Sequence, residues 1–263
     1  MTNLPIATQW VRGSVPSYAQ QPIDAVAMVV HQSAGSKGTG WLVADRLLVT
    51  NEHVVRNGSP GGILVHFPDG TTSSVSKIAA LDASADLAAI ELQVPATATP
   101  LKIESAPLGL GAQIYALGFP LAYNGPAPLF TVGYIAGFEA RMVKAGMPLQ
   151  QRLVLNAALN PGNSGGPVIG WQESAVRGVA VSKHAPIAPY LQSAIDALAN
   201  NKSGVVFTAT DSQGQTYTFV ESQLVADVLK YFRSMTQVVI GEAIPASEVI
   251  SFLSGNRLPW TPA

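Results

Sequence analysis

Short apolar and β-branched runs, each closed off by Gly, Pro, Asn or Ser, constrain the fold of this 263-residue chain more than any other feature. They include AVAMVV (25–30), GWLVADRLLVT (40–50), ILVHF (63–67), LAAIEL (87–92), QIYALGF (113–119) and RGVAVS (177–182). Many strands at such spacing, with few helical segments between them, specify a barrel or a sandwich rather than βαβ units. Pro68-Asp69-Gly70 lies between two of these runs and reads as a hairpin turn. After about residue 185 the pattern changes. Residues 187–200 and 221–235 carry helical spacing, with Leu224, Val225 or Val228, Tyr231 and Phe232 on one face of the second. Between them, 205–220 reads as a hairpin; a strand at 237–244 and a short helix at 247–253 follow.

Charge narrows the partners. Fifteen Lys and Arg stand against 16 Asp and Glu, and only 12% of residues are charged. Nucleic acid and anionic membranes require clustered cations, so neither is expected as a partner. The chain has no cysteine, which excludes disulfides, thiolate metal sites and a Cys nucleophile. Mean hydropathy is +0.26, yet no apolar run approaches the ~18 residues of a membrane helix. The N-terminus lacks a basic segment followed by an apolar one, so no secretory signal is expected and the expected location is cytoplasmic. Four scattered histidines without a ligand-spaced acidic cluster imply no metal, and no cofactor is expected.

Three segments carry chemistry. GTGWLVADRLLVTNEHVV (38–55) puts His53 just after a strand, DASADLAAIEL (82–92) puts Asp86 at the mouth of another, and LNPGNSGGPV (159–168) surrounds Ser164 with glycines. A serine hydroxyl needs a His base, and the His needs a carboxylate to fix its tautomer. Backbone N–H donors must also face the developing oxyanion, through a turn that side chains would obstruct. Gly162, Gly165 and Gly166 suit that turn. Asp82 is a rival carboxylate, but Asp86 directly precedes the strand, whereas Asp82 is expected to start a turn. His31, His66 and His184 are assigned structural roles. GSKGTG (35–40) lacks the ending of a phosphate loop and reads as a loop leading into the His53 strand.

The order His…Asp…Ser and the motifs TNEHVV, DLAAIEL and NPGNSGGPV resemble the trypsin-like superfamily, and most of all its HtrA-type bacterial branch. GAQIYALGFPLAYNG (111–125), FTVGYIAGF (130–138) and GEAIPASEVISFL (241–253) resemble that family's second barrel and closing helix. The resemblance implies a mainly β fold of two six-stranded antiparallel β-barrels of the chymotrypsin type. The implied domains are an N-terminal extension (1–20), a first barrel (21–108), and a second barrel with closing helix (109–185 plus 237–254). A tail (255–263) would end the chain. It also implies a serine endopeptidase with His53 as general base, Asp86 as its orienter and Ser164 as nucleophile. The oxyanion loop would be Gly162-Asn163-Ser164, with the N–H groups of Gly162 and Ser164 as donors.

Several departures from the family pattern matter. Asn163 stands where zymogens of the animal type carry an Asp, so activation by N-terminal cleavage is not expected. Ten residues follow Leu253, so no peptide-binding PDZ domain is expected. About fifty residues (186–236) stand where the family has a short loop, forming a helix–hairpin–helix insertion. The insertion is expected to act as a lid, a substrate-recognition element or an oligomer or regulatory contact, against passive elaboration. At the pocket floor the resemblance puts Ala158, followed by Leu159, which favours small or medium aliphatic P1 residues over Arg or Lys. Ser182, Lys183 and His184 would form the pocket wall and favour an acidic P1, as in glutamyl endopeptidases. Glu242 is expected to point away by alternation from Gly241. From a different class, the alternative is a protease-fold scaffold whose triad stays latent until a partner activates it.

Overall fold

The structure is a computed structural model that describes residues 4–32, 35–142, 149–181, 189–202, 204–235 and 240–263. The chain divides into two compact units, residues 1–183 with 239–263, and residues 184–238.

The larger unit begins with helices α1 (Ile6–Ser14) and α2 (Ser17–Ala25), each entered from an extended proline, Pro5 and Pro16. Ala19, Pro22, Ile23 and Ala25 form the buried stripe of α2. The first barrel consists of β1 (Val26–His31), β2 (Ser36–Ala44), β3 (Leu47–Thr50), β4 (Ile63–His66), β5 (Thr72–Asp82) and β6 (Leu87–Leu92). It closes in the order β1-β2-β3-β6-β5-β4. A single helical turn, α3 (Glu52–Val55), follows β3. The sequence treats 40–50 as one run, but the structure turns at Asp45-Arg46 and folds it into β2 and β3.

GSKGTG is not a loop: Ser36 to Gly40 already pair with β1 (His31↔Ser36, Ala27↔Gly40). The glycine there has a packing reason, because a Cβ at Gly38 would come within 2.6 Å of the Val54 methyls. The expected turn at Pro68-Asp69-Gly70 is present, with Gly70 at φ +88° and Asp69 Oδ1 accepting from the Thr71 N–H (2.8 Å).

The second barrel starts with β7 (Gln113–Gly118), β8 (Leu129–Arg141), β9 (Gln150–Asn156), β10 (Pro167–Gly170) and β11 (Val176–Val181). The chain then forms the smaller unit: α4 (Pro189–Asn200), β12 (Val206–Thr210), β13 (Thr216–Val220) and α5 (Glu221–Met235). Strand β14 (Ile240–Pro245) pairs with both β9 and β11 and closes the barrel in the order β10-β11-β14-β9-β8-β7; α6 (Ala246–Gly255) follows.

One apolar cluster fills the first barrel and continues onto Tyr115, Leu117, Phe119, Ile169, Val179 and Ile244 of the second. A separate one, with Ile114, Leu155, Val168 and Ala243, fills the second barrel. Residues such as Leu48, Leu87 and Ile90 are fully buried, each contributing roughly 1.5–3 kcal/mol by transfer from water. These cores hold the two barrels without cross-links and so fix the segments that approach one another between them.

In the smaller unit α4 packs on α5, and among the described residues Ile195 and Ala226 are their buried ones. Leu224, Val225, Val228, Tyr231 and Phe232 are exposed by 40% to 63%. The buried position of α5 among the described residues is thus the small Ala226, and the larger apolar residues expected to form its packed face stay exposed.

Candidate active site

His53 sits on α3, directly after β3. The buried Val54 and Val55 anchor this turn, while the imidazole keeps 37% of its side-chain surface exposed. Asp86 precedes β6 with φ +59°, a left-handed conformation that is uncommon for a non-glycine residue and that Asp tolerates better than most. Two groups grip its peptide from either side. Asn51 Nδ2 donates to the Asp86 carbonyl (2.8 Å), and Arg152 Nη2 donates to the Ala85 carbonyl (3.0 Å).

The carboxylate so held meets His53 twice over. Nδ1 lies 3.0 Å from Oδ1 and 2.9 Å from Oδ2, and the His53 backbone N–H donates to Oδ1 (3.1 Å). A ring nitrogen between two carboxylate oxygens is the protonated one, which assigns the proton to Nδ1 and leaves Nε2 as the basic nitrogen. Asp82, the rival, is a turn residue: its Oδ1 accepts from Ser84 N–H, Ser84 Oγ and Ala85 N–H at 2.6–2.9 Å. Burial works against its charge, but those hydrogen bonds and the Arg152 charge together hold its carboxyl below the ordinary range.

Ser164 is buried on the turn between β9 and β10, and that turn is tied to the first barrel. The Thr39 N–H donates to the Ser164 carbonyl (2.9 Å), and the Thr39 hydroxyl donates to the Gly162 carbonyl (2.7 Å) while accepting from the Phe119 N–H (2.9 Å). Gly165, at φ +87°, has no room for a Cβ: one there would collide with the Thr39 carbonyl and lie 3.0 Å from the Asn51 N. The residue after Ser164 is thus against Asn51, two positions from His53. Gly162 is at φ +100°, and a Cβ there would meet the Phe119 carbonyl. Asn163 is buried, as a neutral residue in this position can be.

Of the sequence-expected pocket residues, Ala158 is half-buried and Leu159 packs into the core of the second barrel. A Cβ on Gly241 would lie 2.7 Å from Leu159 Cδ1, so strand alternation turns Glu242 to the opposite face. Ser182, Lys183 and His184 lie outside the described residues. His31 is buried; His66 is held by Thr72 Oγ1 (2.9 Å), and burial pushes its pKa down. Residues that sequence reasoning missed are Thr39, Asn51 and Arg152. Only Arg152 leaves a trace there, as a charge directly before the apolar run Leu153-Val154-Leu155 of β9, where a buried Arg is rare.

A family model described as a trypsin-like peptidase domain matches residues 38–179, more than half of the sequence. The chain belongs to the trypsin-like peptidase family. Among curated relatives, "Protease Do-like 1, chloroplastic" of Arabidopsis thaliana is 33% identical over 152 residues, 56% of this chain and 33% of the relative. "Serine protease PepD" of Mycobacterium tuberculosis is 28% identical over 173 residues, 60% of this chain and 36% of the relative. The chain spans about a third of the length of the curated relatives it matches. Among solved structures, the active form of the Rv3671c protease from M. tuberculosis has a TM-score of 0.60 at 17% identity, covering 94% of this chain and 87% of that one. The HtrA-type protease AlgW with a tripeptide gives 0.58 at 20%, covering 90% and 64%. The double barrel is therefore that of the family, and the HtrA and Do-like proteases are among its relatives.

Proposed function

We propose that the chain is a serine endopeptidase in which Ser164 attacks the scissile carbonyl with His53 as general base. His53 Nε2 takes the hydroxyl proton as the Ser164 Oγ–carbon bond forms, then gives it to the leaving amine as the peptide C–N bond breaks. Water repeats the cycle in reverse, releasing the acyl group and restoring Ser164. The contact of His53 Nδ1 with both oxygens of Asp86 carries this reading, because it leaves Nε2 unprotonated and steadies the imidazolium that forms.

The loop geometry supports an oxyanion hole from Gly162 and Ser164. The Pro161 carbonyl accepts from the Leu121 N–H (2.8 Å), and the Asn163 carbonyl from the Gly166 N–H (3.0 Å). In a trans peptide the N–H points opposite its carbonyl, so the Gly162 and Ser164 N–H groups both turn away from those partners. Small or medium aliphatic P1 residues fit Ala158 and its apolar neighbour Leu159, with peptides or proteins as substrates.

The test is digestion of an unstructured protein by the purified chain and by His53→Ala, Asp86→Asn and Ser164→Ala. Cleavage by the parent alone, after aliphatic residues, is the expected result. Undiminished cleavage by the Ser164→Ala variant would overturn the reading.

A further inference from the structure

A cavity of about 340 Å³ opens beside His53. Its wall is formed by His53 and Asp86, by Ala83 and Ser84, by Met142, and by Arg56, Arg141 and Arg152. Three cations thus face one carboxylate, and that carboxylate is already engaged by His53. Arg56 is matched by Glu52, whose oxygens accept from its Nε and Nη2 at 2.6–3.2 Å. Arg141 and Arg152 have no such match: among the described residues, no carboxylate reaches ion-pair distance of either.

Arg152 is the unusual member. It is 2% exposed, and its hydrogen bonds go to neutral oxygens only: Nη2 to Ala85 O (3.0 Å) and Gln150 Oε1 (3.1 Å), Nη1 to Gln151 O (3.2 Å). A guanidinium has five N–H donors, so this leaves two of them without a protein acceptor among the described residues. Burial and the neighbouring Arg141 both push its pKa down, while Glu248, Asp86 and Asp82 attract it from longer range. Withdrawing a cation from water without a counter-ion is costly. A purely structural role, holding the Ala85 carbonyl, accounts for one hydrogen bond but not for a second unpaired cation on the same wall.

We propose that this cavity is an anion subsite that takes the side-chain carboxylate of an Asp or Glu in the peptide substrate, near the scissile bond but not at P1. The proposal rests on the endopeptidase reading. His53 lines the cavity while no residue of the 158–166 segment does. The cavity therefore adjoins the general base and not the segment that carries the nucleophile and the pocket floor, which puts the acidic residue at a position other than P1. The carboxylate would supply the counter-ion that Arg152 and Arg141 lack, in the bidentate geometry guanidinium favours.

The test is a peptide library varied from P4 to P3′, followed by a Glu/Gln pair at the selected position. Enrichment of Asp and Glu at one position other than P1 is expected, with kcat/KM about tenfold or more higher for the Glu peptide at low salt. That ratio falls at high salt and collapses or inverts in Arg141→Glu, whose side chain is exposed and lies outside the core. Arg152→Gln lowers it too; because Arg152 also braces Asp86, the Arg141 variant decides if Arg152→Gln does not fold. Cleavage without an acidic preference, a preference confined to P1, or a ratio that Arg141→Glu leaves unchanged overturns the subsite. If no peptide is cleaved, the endopeptidase reading has failed by itself. The subsite is then judged by calorimetric binding to Ser164→Ala of a peptide carrying Glu at each position from P4 to P3′ in turn, each against its Gln counterpart, and equal affinities throughout overturn it.

Discussion

Thr39→Val probes the link between the two barrels at the proposed oxyanion loop. The Thr39 side chain is fully buried, and its hydroxyl has one partner on either side, the Phe119 N–H and the Gly162 carbonyl. Valine keeps the shape and leaves both partners buried without a hydrogen bond. Each orphaned group costs about 1–3 kcal/mol, so a loss of about 2–6 kcal/mol in stability is expected if the loop does not relax. For a domain of this size that lowers Tm by roughly 4–24 °C. Relaxation of the loop trades stability for activity, because the Gly162 peptide then leaves its position. Losing an oxyanion donor outright costs about 10²–10³ in kcat, and displacing one is expected to cost about tenfold or more. Thermal unfolding by circular dichroism and steady-state cleavage of one peptide measure both quantities on the same sample. Thr39→Ser keeps the hydroxyl and is expected to restore most of kcat. A Thr39→Val protein with unchanged Tm and unchanged kcat would refute the assignment of Thr39 as the positioning residue of this loop.

Asp86→Asn presents an amide to His53 Nδ1 and disfavours the required tautomer; kcat is expected to drop by about 10⁴ with little change in Tm, and a drop smaller than tenfold would contradict the role given to Asp86. Asp82 has a folded pKa below its unfolded one, so its stabilisation is present above the unfolded value of about 4 and is lost as pH falls through the lower folded value. Stability of the parent is therefore expected to fall below about pH 4, while Asp82→Asn shows less of that acid loss and about 1–3 kcal/mol lower stability at neutral pH; parallel pH–Tm curves would contradict this. Replacing residues 188–235 by a short Gly-Ser linker is expected to leave a folded double barrel while altering either the cleavage profile or the mass in solution. If light scattering and peptide cleavage are both unchanged, the insertion is passive.

The strands that announce themselves in the sequence are those buried on both faces or nearly so, such as β6 with its run of LAAIEL. Strands β5 and β9 are harder to see. Thr72–Asp82 exposes much of one face, and Gln150–Asn156 opens with two polar residues and an arginine. The split of 40–50 into two strands has no Gly or Pro to mark it; a register shift between Leu42 and Ala44 accompanies the turn instead. His53, Asp86 and Ser164 were legible because each needs distinctive neighbours, a buried Val pair, a following strand and a glycine turn. Their supports were not legible, because the contacts are remote in sequence: Thr39 reaches Gly162 across 123 residues, and Arg152 reaches Ala85 across 67. The anionic selectivity proposed for the cavity is hidden for the same reason, since Arg56, Arg141 and Arg152 meet only after both barrels close.

The reactivity of one hydroxyl, that of Ser164, decides the endopeptidase reading most directly. Incubating the protein with a fluorophosphonate and mapping the adduct by tandem mass spectrometry measures it. A single phosphonyl group on Ser164, formed much more slowly in His53→Ala, is the predicted result. Absence of an adduct, or an adduct on any other serine, would contradict the endopeptidase reading.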